Sequence, residues 1–434
     1  MIPEIEKASI TEIKKFQEIE LKKLLSYVSE NSAYYQKLFK EKHIDLDTIE
    51  RLEDLSKIPV TTKDDLQQFN NEFICVPKNK IIDYVTTSGT LGEPVTFALT
   101  DNDLERLAYN EAISFECAGV GKDDVMQLMT TMDRRFMAGL AYFLGARKLG
   151  AGIIRVGSGI PELQWDSILK FEPTYLICVP SFLLKLIEFA EQRNIDVNKT
   201  SVKGALCIGE PIKNQDFSFN VLAKKIKVSW NIELYSTYAS TEMSTAFNEC
   251  EQHQGGHHHP ELIIAEILDE NNQTVETGKV GELVITTLGV EAMPLLRFKT
   301  GDMVVAYTNA CDCGRNTMRL GPVVGRKKQM IKYKGTTLYP PAMYNVLNHF
   351  NEVECFIIEI SHNDLGTDEI LVKIATSNAS ELFLNEIKDH FRAKLRVLPR
   401  IEFCSKDEIN DLRFPVMSRK PVEIIDHRVR SQQV

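Results

Sequence analysis

The sequence predicts an α/β protein: a large N-terminal domain of helix-covered parallel sheets plus a β-rich subdomain, then a small mobile α+β C-terminal domain. Short, almost continuously apolar runs alternate with helical segments between residues 124 and 240, which is typical of parallel strands buried on both faces. After His259 the pattern changes to strands separated by Asn- and Gly-containing turns, which predicts an antiparallel unit. After Gly325 the pattern changes again, to a mixture of predicted strands and helices. We therefore place the domains at residues 1–325 and 326–434.

Composition excludes several classes of protein. The chain has 434 residues, more than one hydrophobic core usually serves, and a formal net charge of −10 without a basic block. We therefore expect no nucleic-acid partner. No apolar run approaches the roughly 18 residues of a membrane helix, and the charged N-terminus lacks the apolar core of a signal peptide. These features predict a cytoplasmic protein with no membrane association.

The elements can be predicted in order. Residues 11–40 carry apolar side chains at helical spacing, and Thr61 or Thr62 can cap the helix opened by Lys63. The following elements are helix 101–118, strand 125–130, helix 136–150 ended by Gly150, strand 151–157, helix 162–170, strand 174–180, helix 181–193 capped by Ser181, a strand with a turn at 202–212, helix 214–225, and a strand plus a loop at 227–240. The small domain has predicted helices at 342–350 and 379–395 and strands at 353–360, 370–375 and 400–403.

A hydroxyl- and glycine-rich loop lies between two predicted strands in Tyr84–Phe97. It contains Thr87, Ser88, Gly89, Thr90 and Gly92. Glycines allow close backbone approach, and the N–H groups of such a loop form a concave anion site. The loop is not the GxxxxGK[ST] type, because no Lys-Ser/Thr pair ends it. An ordinary hairpin turn is the alternative interpretation.

Two further strand ends carry carboxylates. In Tyr238–Met243, Glu242 is suited to bind Mg²⁺. The alternative interpretation of the same segment is a helix N-terminus capped by Ser240 or Thr241. In Leu295–Met303, Asp302 sits in a tight turn where it can accept hydrogen bonds from a ribose diol. A structural Asp turn is equally compatible with that segment.

Three cysteines differ from the scattered remainder. Cys250 precedes a histidine run, and Cys311 and Cys313 form a CxC pair. Three thiolates and one imidazole form a tetrahedral structural zinc site. We favour His257 as the fourth ligand. The sequence leaves His253, His258 and His259 open as competitors, and free thiols near an accidental histidine run remain the alternative.

Taken in order, these segments resemble one family. The hydroxyl/glycine loop, Gly209-Glu210-Pro211, Tyr238-Ala-Ser-Thr-Glu, Phe298-Lys-Thr-Gly-Asp, Gly325-Arg326 and a C-terminal Lys420 resemble the adenylate-forming superfamily of acyl-CoA synthetases. The stretches EAMPLLRFKTGD and CDCGR are similar to its phenylacetate–CoA ligase-like branch, which also carries a Cys/His metal site.

The resemblance implies a role for each matching residue. Lys420, Thr241 and Glu242 would be catalytic, with Glu242 on Mg²⁺. The residues implied to bind ATP or CoA are Thr87, Ser88, Gly89, Thr90, Gly92, Gly209, Glu210, Pro211, Tyr238, Ala239, Ser240, Asp302, Arg326 and Gly335. The acyl pocket would include Phe136, Gly139, Tyr142, Pro180 and Ser181. The zinc ligands would be Cys250, His257, Cys311 and Cys313.

The implied function is an ATP-dependent, AMP-forming carboxylate–CoA ligase for an aryl or similar small carboxylic acid, acting through an acyl-adenylate. The cofactors would be ATP, Mg²⁺, coenzyme A as co-substrate and a structural Zn²⁺. Transfer of the acyl group to a non-CoA acceptor and a catalytically weakened nucleotide sensor are the alternatives. The N-terminal helices could also pair in a homodimer.

Three departures from the family pattern stand out. Leu91 and Glu93 replace the common Thr and Lys of the loop, which removes a cation near the phosphates. Ala239 replaces a usual glycine, and Glu423 follows Lys420 where basic residues are usual.

Overall fold

The computed structural model describes residues 2–87, 95–333, 336–363, 368–414 and 422–428. The chain forms two compact units, Met1–Thr300 with Val304–Pro322, and Gly301–Met303 with Val323–Val434. Six residues with predicted roles lie outside the described residues: Ser88, Gly89, Thr90, Gly92, Gly335 and Lys420. No helix of the described part is both long and apolar enough to span a membrane.

The first unit contains nine α-helices and most of the strands among its described residues. The helices are α1 (Glu4–Lys7), α2 (Ile10–Asn31), α3 (Ala33–Glu41), α4 (Lys63–Gln68), α5 (Asp101–Cys117), α6 (Met137–Leu149), α7 (Pro161–Phe171), α8 (Pro180–Gln192) and α9 (Val221–Ser229). The strands are β1 (Asp83–Thr86), β2 (Thr96–Leu99), β3 (Val125–Leu128), β4 (Gly152–Arg155), β5 (Tyr175–Cys178), β6 (Gly204–Cys207), β7 (Glu233–Ser240), β8 (Thr245–Asn248), β9 (Gly256–His257), β10 (Ile263–Leu268), β11 (Val280–Thr287), β12 (Phe298–Tyr307) and β13 (Arg319–Leu320).

A parallel sheet with both faces covered forms the centre of this unit. Its strands run in the order β4-β3-β5-β6-β7, and every neighbouring pair is parallel. Alternate side chains of β5 enter two different cores, because successive residues of a strand point to opposite faces. Ile177 packs with Phe115 and Tyr142 on one face, whereas Leu176 packs with Trp165 on the other.

The sheet continues as an antiparallel region beyond β7. The order is β7-β8-β9-β13-β12-β11-β10, and the pairs β7–β8, β8–β9, β13–β9, β12–β13 and β10–β11 are all antiparallel. The hairpin β7–β8 therefore joins the parallel and antiparallel halves. Strands β1 and β2 form a separate antiparallel pair on either side of the hydroxyl-rich loop.

The second unit is a small α+β domain with its own core. Its elements are β14 (Gly325–Arg326), β15 (Ile331–Tyr333), β16 (Thr336–Leu338), α10 (Pro340–Leu347), β17 (Val353–His362), β18 (Asp368–Thr376), α11 (Glu381–Leu395), β19 (Arg400–Phe403), α12 (Lys406–Arg413) and β20 (Ile424–Asp426). The sheet order is β19-β18-β17-β20. Met343, Ile358 and Phe391 belong to one buried cluster, so helices α10 and α11 pack on this sheet.

The predicted fold class is confirmed, but two local predictions are wrong. The helix expected at 214–225 begins only at Val221, because residues 214–219 form a turn and Asn220 caps the helix through Ala223 N–H. Ser181 is not the cap of α8. The helix begins at Pro180, a residue without an N–H that suits the first helical position.

Candidate active site and metal-ligand cluster

The residues Tyr238–Glu242 end strand β7 and open a hairpin turn. Ser240 is paired with Thr245, and the intervening turn is closed by a hydrogen bond from Ser244 N–H to Thr241 O. The alternative of a helix N-terminus is therefore wrong. Glu242 is 13% exposed, and its carboxylate lies 3.9 Å from Lys63 Nζ of α4. The turn presents a hydroxyl and a carboxylate at the carboxyl edge of the sheet, where ligands of such folds bind.

Helix α5 holds this hairpin through three polar residues one helical turn apart. Arg106 is buried and donates to the backbone oxygens of Ser244, Leu262 and Leu288. Burial lowers the pKa of Arg106 to about 10, so the guanidinium stays charged at neutral pH.

The next two residues of this row bind strand β8. Asn110 Oδ1 accepts hydrogen bonds from Thr245 Oγ1 and from Ala246 N–H. Ser114 O accepts one from Asn248 Nδ2 at 2.8 Å. Since all these groups are buried, unpaired partners would be costly, and the hairpin is fixed along its length.

Predicted adenine and acyl residues meet at the ends of β5 and β6. Glu210 accepts hydrogen bonds from Ser181 N–H and Ser181 Oγ, both at 2.9 Å, and thereby caps helix α8. Gly209 has φ 77°, the left-handed region that suits glycine. Pro211 O accepts from Asn220 Nδ2, and Pro180 opens α8. Because β5, β6 and β7 are parallel, these residues share one sheet edge with Glu242.

The other predicted acyl-pocket residues lie at and in α6. Phe136 is the N-cap residue of the helix. Gly139 is required for packing, because a Cβ there would lie 2.0 Å from Thr131 O. Tyr142 is buried in the core cluster beside Phe115. Their contact with an acyl group stays a prediction.

Hydrogen bonds at Thr86, Thr87 and Val95 hold the two ends of the hydroxyl-rich loop. Thr87 N–H donates to Val95 O, and Val95 N–H donates to Thr87 Oγ1, both at 3.0 Å. Thr86 N–H donates to Arg135 O at 2.9 Å. These bonds fix the base of the loop and attach it to the segment that follows β3.

Asp302 and Arg326 belong to the second unit. They are directly paired across β12 and β14, and Arg326 Nε lies 3.5 Å from Asp302 Oδ1. The pairing brings the two predicted nucleotide residues together, as a carboxylate beside a cation.

The four predicted zinc ligands converge in the first unit. All their ligand atoms lie within 4.8 Å of one another, with Cys250 Sγ 3.7 Å from Cys311 Sγ and Cys313 Sγ 3.5 Å from His257 Nε2. A tetrahedral site with Zn–S bonds of about 2.3 Å has edges of about 3.8 Å. The donor set therefore fits one zinc ion.

The three competing histidines have other partners. His258 Nε2 bonds to Ile263 O, His259 pairs with Glu6 and Ser114, and His253 lies 3.5 Å from Glu233. His257 is thus the histidine that the structure brings to the cysteines. Burial lowers its pKa, which favours the neutral imidazole that a metal ligand needs.

A buried polar network surrounds the cluster. Arg315 Nη1 lies 3.5 Å from Cys313 Sγ, and Arg315 Nε donates to Glu6 Oε2 at 2.6 Å. The pKa of Cys313 is lowered, first by the hydrogen bond with Cys250 and further by His257 and Arg315. His257 Nδ1 lies 3.1 Å from Thr317 Oγ1, which orients the ring so that Nε2 faces the thiols.

Sequence reasoning missed Lys63, Glu6 and the polar row of α5. The sequence pattern identifies Lys63 only as the residue that opens a helix, and residues 101–118 only as a helix. The available signal was the spacing of Arg106, Asn110 and Ser114 at intervals of four among apolar residues, which marks a buried polar stripe.

Comparisons with known proteins now identify the class. The family described as AMP-binding enzyme matches residues 17–292. The chain is 32% identical to a phenylacetate-coenzyme A ligase of Thermus thermophilus over 391 residues, covering 89% of this chain and 85% of the relative. A phenylacetate-coenzyme A ligase of Aromatoleum evansii is 29% identical, with 96% and 97% covered. The chain therefore belongs to the AMP-binding enzyme family.

The structural comparison agrees with the predicted fold. A 2-hydroxyisobutyryl-CoA ligase in complex with 2-HIB-AMP superimposes with a TM-score of 0.85 at 22% identity, covering 99% of this chain and 93% of that one. The predicted adenylate-forming superfamily and its phenylacetate–CoA ligase-like branch are confirmed.

Proposed function

We propose that the protein is an ATP-dependent, AMP-forming carboxylate–CoA ligase that acts on an aryl or similar small carboxylic acid of the phenylacetate type. Family membership and the names of the two relatives carry the proposal. The reaction joins a carboxylate to the α-phosphate of ATP and then passes the acyl group to the CoA thiol. Both partners of the first step are anions, so charge neutralisation and positioning are the main catalytic tasks.

The first unit offers groups for these tasks. Glu242, at the rigid β7–β8 turn, would hold Mg²⁺, which prefers one or two carboxylates together with phosphate oxygens. Thr241 beside it would contact phosphate, and Gly209–Pro211 and Tyr238 would border the adenine. Mg²⁺ supplies charge neutralisation when bound. The hydrogen bond that Arg106 donates to Ser244 O and the one that Asn110 Oδ1 accepts from Ala246 N–H keep the turn in place.

The second unit contains the residues with the predicted ribose-binding and lysine roles. Asp302 would accept the ribose hydroxyls, oriented by Arg326 at 3.5 Å. Lys420 would bridge carboxylate and α-phosphate during adenylation, and Gly335 would border the pantetheine channel. The roles of these last two residues follow from the resemblance alone.

ATP–pyrophosphate exchange with a panel of acids tests the proposal. We expect exchange with phenylacetate or another aryl acid, and release of AMP that requires CoA. Absence of exchange with every acid, in folded and metal-loaded protein, would contradict an adenylating enzyme. AMP release that depends on the acid but not on CoA would instead indicate another acyl acceptor.

We also propose that Cys250, His257, Cys311 and Cys313 hold one structural zinc ion. The tetrahedral edge lengths and the hydrogen bonds to Cys313 and His257 support this. Elemental analysis should find about one zinc per chain. Metal-free protein of unchanged stability would contradict it.

The cytoplasmic location and a homodimer through the N-terminal helices stay predictions. Cell fractionation and light scattering of the purified protein would test them.

A further inference from the structure

The segment between β3 and α6 has an unusual backbone. Arg134 and Arg135 both have φ 58°, a left-handed conformation that costs free energy for residues other than glycine. Two consecutive arginines in this conformation persist only if their surroundings fix them. Strain of this kind is concentrated at ligand-binding positions.

The surroundings do fix this segment. Phe136 N–H donates to Asp133 O, and Arg135 O accepts from Thr86 N–H at 2.9 Å. On the other side, helix α6 packs so closely on Thr131 that only glycine fits at position 139. The two arginines are therefore held against the strand that leads into the hydroxyl-rich loop.

Both guanidinium groups are available for a ligand. Arg134 is 69% exposed, and its ion pair with the equally exposed Asp133 is 3.9 Å long, a distance at which exposed pairs contribute little. Arg135 is exposed and has no ion pair among the residues that the structure describes. Apart from the loose contact of Arg134 with Asp133, neither guanidinium has an ion pair among the described residues.

Two neighbouring features also favour an anion at this place. Helix α6 begins directly after the arginines, its N-cap residue Phe136 makes no side-chain cap, and its first turn has no acidic residue. The positive end of the helix dipole is therefore uncompensated. Thr86 adds a buried hydroxyl without a hydrogen-bond partner among the described residues.

The hydroxyl-rich loop itself has no cationic residue that could bind a phosphate. Between Thr87 and Val95 the only charged residue is Glu93, which is acidic. A loop that receives several phosphates requires positive charge from elsewhere. The β3–α6 segment also follows the carboxyl end of a parallel strand, the edge at which Glu242 and Gly209 lie.

We propose that Arg134 and Arg135 bind the β- and γ-phosphates of ATP and supply the positive charge that the hydroxyl-rich loop lacks. The proposal rests on the ATP-dependent function given above, and it names the residues that distinguish ATP from AMP. Arginine suits the role, because its fork of N–H donors matches phosphate oxygens.

The test compares nucleotides that differ only in the two outer phosphates. We would measure by calorimetry the binding of AMP and of a non-hydrolysable ATP analogue to the wild type, Arg134→Gln, Arg135→Gln and the double variant. We expect analogue affinity to fall roughly fivefold for each single change and at least about twentyfold for the double change. Affinity for AMP should stay unchanged, and the loss should shrink at high salt.

Arg147→Gln is the matched control, because Arg147 is an exposed arginine near the other end of α6. It should leave both affinities unchanged. Thermal unfolding should not differ among the variants, since the changed side chains are exposed. Arg135→Lys should restore most of the analogue affinity of Arg135→Gln.

Equal losses for AMP and the analogue, or no loss for either, would overturn the inference. In steady-state assays, an increase in KM for the acid or for CoA with no change in KM for ATP would also overturn it. Nucleotide binding is measured without any acid, so failure of the enzyme to activate an acid contradicts the proposed function separately.

Discussion

The two ends of the β7–β8 hairpin are built in opposite ways. Residues 239–242 at the turn are half-buried or exposed, whereas residues 246–250 towards the cysteine cluster are all buried. At the buried end, Asn248 Nδ2 donates to Ser114 O, and Ser114 Oγ is hydrogen-bonded to His259 Nε2. His259 Nδ1 in turn pairs with the Glu6 carboxylate. At the turn, the carboxylate of Glu242 has Lys63 at the loose distance of 3.9 Å. At the cluster end the polar groups bind one another, whereas at the turn we propose that the Glu242 carboxylate binds a ligand.

This contrast separates stability from chemistry along a single strand pair. A change at the Glu242 carboxylate should alter catalysis with little effect on folding, because its ion pair with Lys63 is 3.9 Å long. A change at the cluster should alter folding. Helix α5, which contacts both ends through Arg106 and Ser114, should affect both.

The largest effect is expected at the turn. Glu242→Gln removes the proposed anionic Mg²⁺ ligand and should lower the rate of ATP–pyrophosphate exchange at least about 100-fold, equivalent to about 3 kcal/mol of activation free energy. The unfolding temperature should stay within about 2 °C of the wild type. Exchange kinetics and calorimetric unfolding measure the two quantities.

Glu233→Gln is the matched control for this change, since Glu233 is an exposed carboxylate at the other end of β7. It should leave exchange unaffected. Normal exchange in the Glu242→Gln variant would contradict a catalytic role for the turn of the β7–β8 hairpin.

The second effect lies at the cluster end. Cys311→Ser removes one of the four proposed zinc donors and should abolish zinc binding and lower the free energy of unfolding by about 3 kcal/mol or more. Denaturant unfolding and elemental analysis provide the readouts. Cys404→Ser, at a half-buried cysteine outside the cluster, should cost less than about 1 kcal/mol. Equal losses for both variants would contradict a metal-dependent end.

The sequence predicted those features that depend on local patterns. A cap at Thr61 or Thr62, the end of the helix at 136–150 on its final glycine and the strand at 400–403 follow from neighbouring residues. The structure confirms all three, with Thr62 as the cap. The convergence of Cys250, His257, Cys311 and Cys313 could also be predicted, because the CxC spacing and the preference of zinc for thiolate and imidazole restrict the possible ligand sets. The structure brings these four side chains together.

The sequence could not predict which side chains meet over long separations. His257 is distinguished from the three other histidines by its pairing with Asn248 and Arg319 on two neighbouring strands. The contacts of Arg106 with Ser244 and Leu288 join residues 138 and 182 positions apart. Hydrophobic periodicity reports which face is buried, not which carbonyl lies opposite.

Helix α5 gives the third prediction. Arg106→Lys cannot satisfy three backbone oxygens with the fork geometry of arginine, and it should lower the free energy of unfolding by roughly 2–3 kcal/mol. It should also raise the KM for MgATP, because the Glu242 turn loses its hydrogen bond at Ser244. Denaturant unfolding and ATP–pyrophosphate exchange are both measured at a temperature below the thermal unfolding temperature of each variant.

Arg297→Lys is the control for this variant. Arg297 is equally buried but binds Glu266 and Ile58 O, away from the hairpin. It should show a similar stability loss with an unchanged KM. A raised KM in both variants would mean that instability alone alters the turn.

The smallest effect is a pH dependence within α5. Glu111 is fully enclosed against Gly145 of α6, and burial raises its pKa from 4.5 to about 8. The folded state therefore holds a proton that the unfolded chain releases, so this contribution is complete below about pH 4.5 and is lost as the pH rises to about 8. Glu111→Gln keeps the neutral shape and its acceptor for Asn110 Nδ2. Compared with the wild type, it should gain about 2 kcal/mol of unfolding free energy at pH 6 and less than about 0.5 kcal/mol at pH 4.5. Denaturant unfolding at both pH values measures the difference, and a gain of equal size at both would show that Glu111 is not protonated in the fold.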